Sequence, residues 1–289
     1  MVKLIYILLA LTSASHATIT ADASASISVT VASPADVAQA YGTLLGERNC
    51  NGIPPESLHG APRGSIELLI LCVALTATSN QSDVALKVIP FPNYARSLRT
   101  VETGGADVSA ESIWLEDISS ANLLYSDPLI RSMEFEKGLY VTSKALLDRH
   151  PINANYIQSL RGITVKNWAY DWNLLNQITP HTVSATRYSA IYQMMLRERA
   201  DFTLLRFVNS KDMTQTMEGT PMYPIPGIKV RFSGSRHYVI SRQSPHAEAL
   251  QSHINQGLKR LRESGQLHAY LQAMGLGLEQ TQDWLSLPQ

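Results

Sequence analysis

The stretch YARSLRTVETGGADV, residues 94–108, reads as a helix that stops at Gly104-Gly105 and becomes a strand at Asp107-Val108. Ala95, Leu98 and Val101 recur at helical spacing, while Arg96, Arg99 and Glu102 fall on other faces. Gly104 can take the left-handed conformation that ends a helix at no steric cost. DVALKVIPF (83–91) precedes it as a strand, so the unit is strand, helix, strand. That alternation implies parallel pairing, with helices packed on the sheet faces. Residues 188–202, YSAIYQMMLRERADF, repeat the Tyr-to-Asp spacing and the Ala-Asp-apolar step. There Ala190, Ile191, Met194, Met195 and Ala200 form the inner side, with Arg197, Glu198 and Arg199 near the end. LRGITVKNW (160–168) supplies a strand and DWNLLNQI (171–178) a helix start, so two βαβ-type layers lie in tandem. Each is about the size of a small domain.

Around these layers, ISVTVASP (27–34) is β-branched and ends at a proline, as a first core strand would. CNGIPPESLHGAPRG (50–64) is too rich in Pro and Gly for regular structure and leads into an apolar helix over 65–78. EFEKGLYVTS (134–143) reads as a connecting strand and SRHYVISR (235–242) as a second, so the chain crosses between two lobes twice. Ser244 as N-cap and Pro245 at the first helical position open a helix with Leu250, Ile254, Leu258 and Leu261 on one face. Gly265 closes it, and a last helix runs from Leu267 to about Met274.

The chain has 289 residues, 45% of them apolar, enough for real cores. Lys plus Arg equal Asp plus Glu at 24 each, so no global field favours nucleic acid or an anionic membrane. Residues 1–17, MVKLIYILLALTSASHA, have the outline of a secretory signal peptide, with cleavage there or as late as residue 25. Export carries the chain to an oxidising compartment; an uncleaved anchor is the alternative. Export also permits a disulfide between Cys50 and Cys72, although Cys72 in its apolar helix equally suits a small buried hydrophobe.

Helix-G-G-A-D-V at 94–108, LLYSDPLIRSMEFEKGLYV (123–141), SLRGITV (159–165), RERADF (197–202) and HYVISRQSP…INQGLKRLRESGQL (237–267) together resemble the type II periplasmic solute-binding proteins. The likeness is to their extracellular family 3 and spans about 27–275. It implies an α/β, two-lobe fold, each lobe a mostly parallel sheet flanked by helices, with two hinge crossings. Lobe one would be 26–136 plus 235–289, and lobe two 137–234. The implied function is capture of a small solute in the interlobe cleft by a monomer and delivery to a membrane ABC permease, or presentation to a separate membrane sensor. Amino-acid receptors of that family usually carry Thr-x-x-Arg after the "aDv" strand and an Asp after the second "aD" strand. This chain has no Arg between Arg99 and Arg131, and Arg206 stands nearest the second position. An ordinary zwitterionic amino acid is therefore disfavoured as ligand.

Ligands of open α/β sheets sit beyond the carboxyl ends of the strands. That rule selects Ser33, Tyr94, Glu111, Trp114, Trp168, Tyr170, Trp172 and Arg206 as ligand-binding candidates. NWAYDW (167–172) concentrates aromatic faces before a helix N-terminus, although each ring could instead pack into its lobe. Asp171 fits a helix cap or a ligand contact. Glu111 fits a partner for a cationic group or for Arg131, and Arg206 fits a carboxylate or phosphate, or plain solvent. No nucleophile elbow, P-loop or zinc motif occurs, so no metal, cofactor or nucleic-acid partner is expected and the chain reads as a non-enzyme. A dehydratase or lyase using Glu111 as acid or base is the enzymatic alternative.

Overall fold

The computed structural model describes residues 27–78, 84–148 and 152–288; the signal-like leader lies outside the described residues. The first part of the chain contributes β1 (Ile27–Pro34), α1 (Ala35–Leu45), α2 (Arg63–Thr76), β2 (Val84–Phe91), α3 (Tyr94–Glu102), β3 (Val108–Ser109), β4 (Ile113–Trp114) and β5 (Leu123–Tyr125). The middle holds β6 (Glu136–Val141), α4 (Ala145–Asp148), α5 (Ala154–Ser159), β7 (Gly162–Val165), α6 (Ala169–Ile178), β8 (Val183–Ala185), α7 (Tyr188–Leu196), β9 (Phe202–Leu205), β10 (Gln215–Met217) and β11 (Thr220–Arg231). The chain finishes through β12 (Arg236–His237), β13 (Val239–Ser241), α8 (Ala247–Glu263), α9 (Gln266–Ala273) and β14 (Leu285–Leu287).

One sheet has the order β2-β1-β3-β13-β5, and the other β10-β11-β6-β9-β7-β8. Each has a parallel centre: β1 pairs in parallel with β2 and β3, and β7 with β8 and β9. In the first lobe α2 is buried on nearly every side, which is why its sequence is apolar all round rather than striped. No helix among the described residues is long and apolar enough to cross a membrane.

The repeat seen in the sequence extends to individual hydrogen bonds. In the first lobe Thr103 N donates to Arg99 O, Gly104 N to Val101 O and Gly105 N to Thr100 O. In the second, Arg197 N donates to Gln193 O, Glu198 N to Met195 O and Arg199 N to Met194 O, at one constant offset along the chain. The left-handed residue that stops the helix is Gly104 (φ +78°) in one copy and Glu198 (φ +55°) in the other. Each following aspartate then clamps the neighbouring strand. Asp107 N donates to Thr30 O while its carboxylate accepts from Thr30 N at 2.7 Å; Asp201 N donates to Arg161 O while its carboxylate accepts from Arg161 N at 2.7 Å. The Ala-Asp-apolar step is thus a strand-pairing device used once per lobe.

Two hydrogen-bonded segments link the lobes. Met133 N donates to Phe232 O and Phe232 N to Phe135 O, both at 2.9 Å, and the pair continues as antiparallel β6 and β11. The tail differs from a division that keeps 235–289 wholly in lobe one. After α9 it passes to the second sheet, where β14 runs parallel to β11. The turn at Gly275 (φ +81°) explains this route, because an added Cβ would lie 1.8 Å from Phe207 O, closer than any side chain can approach.

Two helix starts also differ from expectation. α8 begins at Ala247 with His246 in the cap position, because the Ser244 hydroxyl binds the Asp107 carboxylate instead of capping the helix. α6 begins at Ala169 behind Trp168, so Asp171 is not its cap; the Asp171 carboxylate pairs with Lys137.

Cys50 and Cys72 form a disulfide that ties the Pro/Gly-rich segment to α2 across 22 residues. Replacing both by alanine is expected to lower stability by about 2–4 kcal/mol. Urea unfolding of the oxidised protein and the double variant checks this, and coincident midpoints would count against it.

Candidate functional site

Glu67 is the one charge in the centre of the apolar run of α2, and its side chain has no exposure. Such a group persists only if it is paired and its lone pairs are filled. Its Oε1 accepts from Arg63 Nη1 at 2.5 Å and from Ser112 Oγ at 3.0 Å, and its Oε2 accepts from Ser112 N at 2.8 Å. Arg63 also reaches Glu111 Oε1 at 3.2 Å. Arg236, buried on β12, donates from Nε to Ser112 Oγ at 3.0 Å and from Nη2 to Ser112 O. Its guanidinium lies over the rings of Trp114 and Phe135, 4.6 and 5.6 Å from the centroids. Arg63, Glu67, Glu111, Ser112 and Arg236 therefore form one network beyond the end of β3.

Burial sets the electrostatics of this network. It pushes the Glu111 carboxyl above the usual range although Arg63 opposes the shift. It brings the Arg236 guanidinium down to about 10, with the like charge of Arg63 acting in the same direction. Tyr94, at the start of α3, is pushed up to about 12 by burial, against the opposing pull of Arg236.

The second lobe meets this network from the other side. Tyr170 of α6 stacks on Trp114 with centroids 4.4 Å apart and planes 18° from parallel. Trp114 also contacts Phe135 and Phe232 of the two linking segments, at 5.2 and 5.7 Å. Arg206, just past β9, donates to Ala61 O at 3.2 Å and to Met274 O at 3.0 Å. Burial lowers its pKa, and Arg63 lowers it further.

Trp114, Tyr170, Glu111, Tyr94 and Arg206 thus lie along one interlobe seam. Trp168 is 40% exposed and pairs with Tyr188 at 5.8 Å. Trp172 has Lys166 over its ring at 5.8 Å, and its backbone N–H donates to Trp168 O at 2.8 Å. Ser33 is fully buried and turns its hydroxyl to Pro34 O, facing the protein rather than the seam. The partner of Glu111 is Arg63 rather than Arg131, and Arg206 is partly buried between lobes rather than solvated. Sequence reasoning missed Arg63, Glu67, Ser112, Arg236 and Tyr188. A lone glutamate inside an apolar helix was the available signal for the first of these contacts.

Two cavities lie on lobe one away from the seam. One of about 190 Å³ sits between the start of β1 and α8, beside Asp107, His246 and His253; the other lies along Asp127, Arg131 and Arg262. Neither touches the buried ions or the facing aromatics, so the seam is the better candidate.

No family model matches the chain, and no curated protein matches it in sequence. Solved structures similar to it include the following three. The Lactococcus lactis GlnP substrate binding domain 2 in open conformation has a TM-score of 0.55 at 12% identity, over 86% of this chain and 94% of that one. The Bordetella pertussis BvgS VFT2 domain has 0.52 at 13%, over 86% and 93%. An amino acid ABC transporter substrate-binding protein from Streptococcus pneumoniae, bound to L-arginine, has 0.51 at 14%, over 86% and 94%. Identities this low speak for the fold alone. With its two parallel-centred sheets, its paired crossover and these neighbours, the chain has the two-lobe fold of the type II periplasmic solute-binding proteins.

Proposed function

We propose that this protein is an exported, periplasmic binding protein that captures a small solute between its lobes and delivers it to a membrane ABC permease. The observation that carries the reading is the seam itself. Trp114 from one lobe and Tyr170 from the other stack face to face beside a buried ionic network, with Arg206 reaching across. A solute that touches both sides stabilises the closed form by its differential affinity for it. Lobe one is taken as 26–136 plus 235–289, apart from the returning tail strand, and lobe two as 137–234. The protein acts as a monomer, without cofactor or catalysis.

A thermal-shift screen of the mature protein against amines, carboxylates, sugars and aromatic acids tests this reading. A ligand at 100 times its Kd adds about 2.7 kcal/mol of stability. An aromatic pair contributes about 0.5–1.5 kcal/mol to closure, so Tyr170→Ala should weaken that ligand roughly 2- to 10-fold. Small-angle scattering should show the variant more extended than the parent. An equally compact variant with unaltered affinity would remove the seam from the binding reaction. Turnover of a bound compound that is lost in Glu111→Gln would establish the lyase instead.

A further inference from the structure

The lobe-two side of the seam has a cation without an anion. Among the described residues no carboxylate lies within ion-pair distance of Arg206; its hydrogen bonds, to Ala61 O and Met274 O, use two of its five N–H donors. Burial already disfavours its charge, and Arg63 adds a like charge from the other lobe. Each neighbouring ion has a partner or a filled shell, since Arg63 holds two carboxylates and Glu67 is saturated by Arg63 and Ser112. Among the described residues Arg236 also lacks a carboxylate at ion-pair distance, but it is buried under Trp114 and Phe135 with Ser112 on its donors, which leaves the partly buried Arg206 to take an anion from outside the chain.

Aromatic residues follow the ends of β7 and β8 in the same sheet. Tyr188, the first residue of α7, interacts electrostatically with Arg206, is 39% exposed, and lies 5.8 Å from Trp168 with the two planes tilted by 46°. Tyr192, edge-on to Tyr188 at 5.1 Å, buries a hydroxyl that makes no hydrogen bond of good geometry. Two half-exposed rings and a guanidinium without a carboxylate partner thus follow the ends of β7, β8 and β9, which are neighbours in one sheet. The carboxylate felt by these tyrosines, Glu218, is exposed on the turn between β10 and β11 and forms no ion pair with Arg206.

Resting on the cleft-binding reading above, we propose that the ligand is a flat, aromatic carboxylate without an ammonium group, its carboxylate on Arg206 and its ring against Trp168 and Tyr188. A planar guanidinium suits a carboxylate bidentately, and aromatic walls hold a ring with little loss of freedom. An ammonium placed on Arg206 would face its like charge and that of Arg63.

The test uses the mature protein with benzoate, 4-hydroxybenzoate and nicotinate as probes, against benzylamine, L-phenylalanine and glucose, read by calorimetric titration and thermal shift. At least one of the three carboxylates should bind saturably. Arg206→Ala should weaken it at least 100-fold, Arg206→Lys about 10-fold, and Trp168→Ala about 10-fold. Arg206→Lys keeps a cation at the lobe contact, so its loss of affinity is not a loss of folding; circular dichroism of each variant confirms that. Binding of the carboxylates with unaltered affinity in both Arg206 variants overturns the assignment. So does binding of amine, amino acid or sugar alone, or of none of the six. If Tyr170→Ala still changes compactness in those cases, the anion assignment has failed while the cleft reading stands.

Discussion

Lys229→Met is expected to cost about 3–5 kcal/mol, the range for stripping one partner from a buried ion pair. Lys229 Nζ lies 2.8 Å from Glu136 Oε2, and the two side chains are 2% and 4% exposed. Each also holds the returning tail: Lys229 donates to Thr281 O at 2.7 Å, and Glu136 Oε1 accepts from Gly277 N at 2.9 Å. The pair sits where β6 and β11 leave the linking segments, with Arg231 opposite Glu136 in register and its Nε 3.6 Å from the carboxylate. Removing the lysine leaves a carboxylate in a low-dielectric site with half-exposed Arg231 as its remaining cation. The double variant Lys229→Met with Glu136→Leu should recover most of the loss, since an apolar pair carries no desolvation penalty. Guanidinium unfolding of the parent, both single variants and the double variant measures this. Single variants within about 0.5 kcal/mol of the parent would refute the picture of a dry hinge pair. The single variants should also make the tail more accessible to protease, because each removes one of the pair's two hydrogen bonds to it.

Glu67→Leu carries the second large expected effect, again about 3–5 kcal/mol. Here the loss is spread over the network. Arg63 keeps only Glu111, at 3.2 Å, while the buried N–H and hydroxyl of Ser112 lose their acceptor. Ser112 is also what positions Arg236, so the guanidinium over Trp114 loses its anchor. Stability and ligand affinity should therefore fall together, whereas Lys229→Met should act mainly on stability. Denaturant unfolding with titration of whichever ligand the screen yields separates the two. Glu67→Gln, which keeps the shape and one acceptor oxygen, should fall between Glu67→Leu and the parent.

The repeat at 94–108 and 188–202, the alternation of strands and helices, and the first linking strand were legible in the sequence; the second link runs through β11 to Phe232, whereas 235–242, read as that link, pairs with β3, β4 and β5 of the first lobe as β12 and β13. Each is a local pattern, written in the spacing of apolar residues and in the residues that stop helices. Even the clamp made by Asp107 and Asp201 was visible as a repeated Ala-Asp step, although its purpose was not. Selection by strand ends also reached Trp114, Tyr170, Glu111 and Arg206, because ligand loops of such sheets follow from topology. It also selected Ser33, whose buried hydroxyl turns to Pro34 O.

Long-range pairing was decided only by the tertiary structure. Glu67 with Ser112, Arg236 with Trp114, Arg206 with Ala61 and Lys229 with Glu136 join segments far apart in the chain. Nothing local distinguishes a charged residue that will meet a distant partner from one that will meet water. The return of the tail to the second sheet belongs to the same class, since it depends on one glycine fitting against the carbonyl of Phe207. Sequence by itself determined which elements form and how often the unit recurs, because backbone conformation answers to near neighbours. The packed structure decided which charges are buried and what they face, because desolvation and pairing depend on where the other lobe lies.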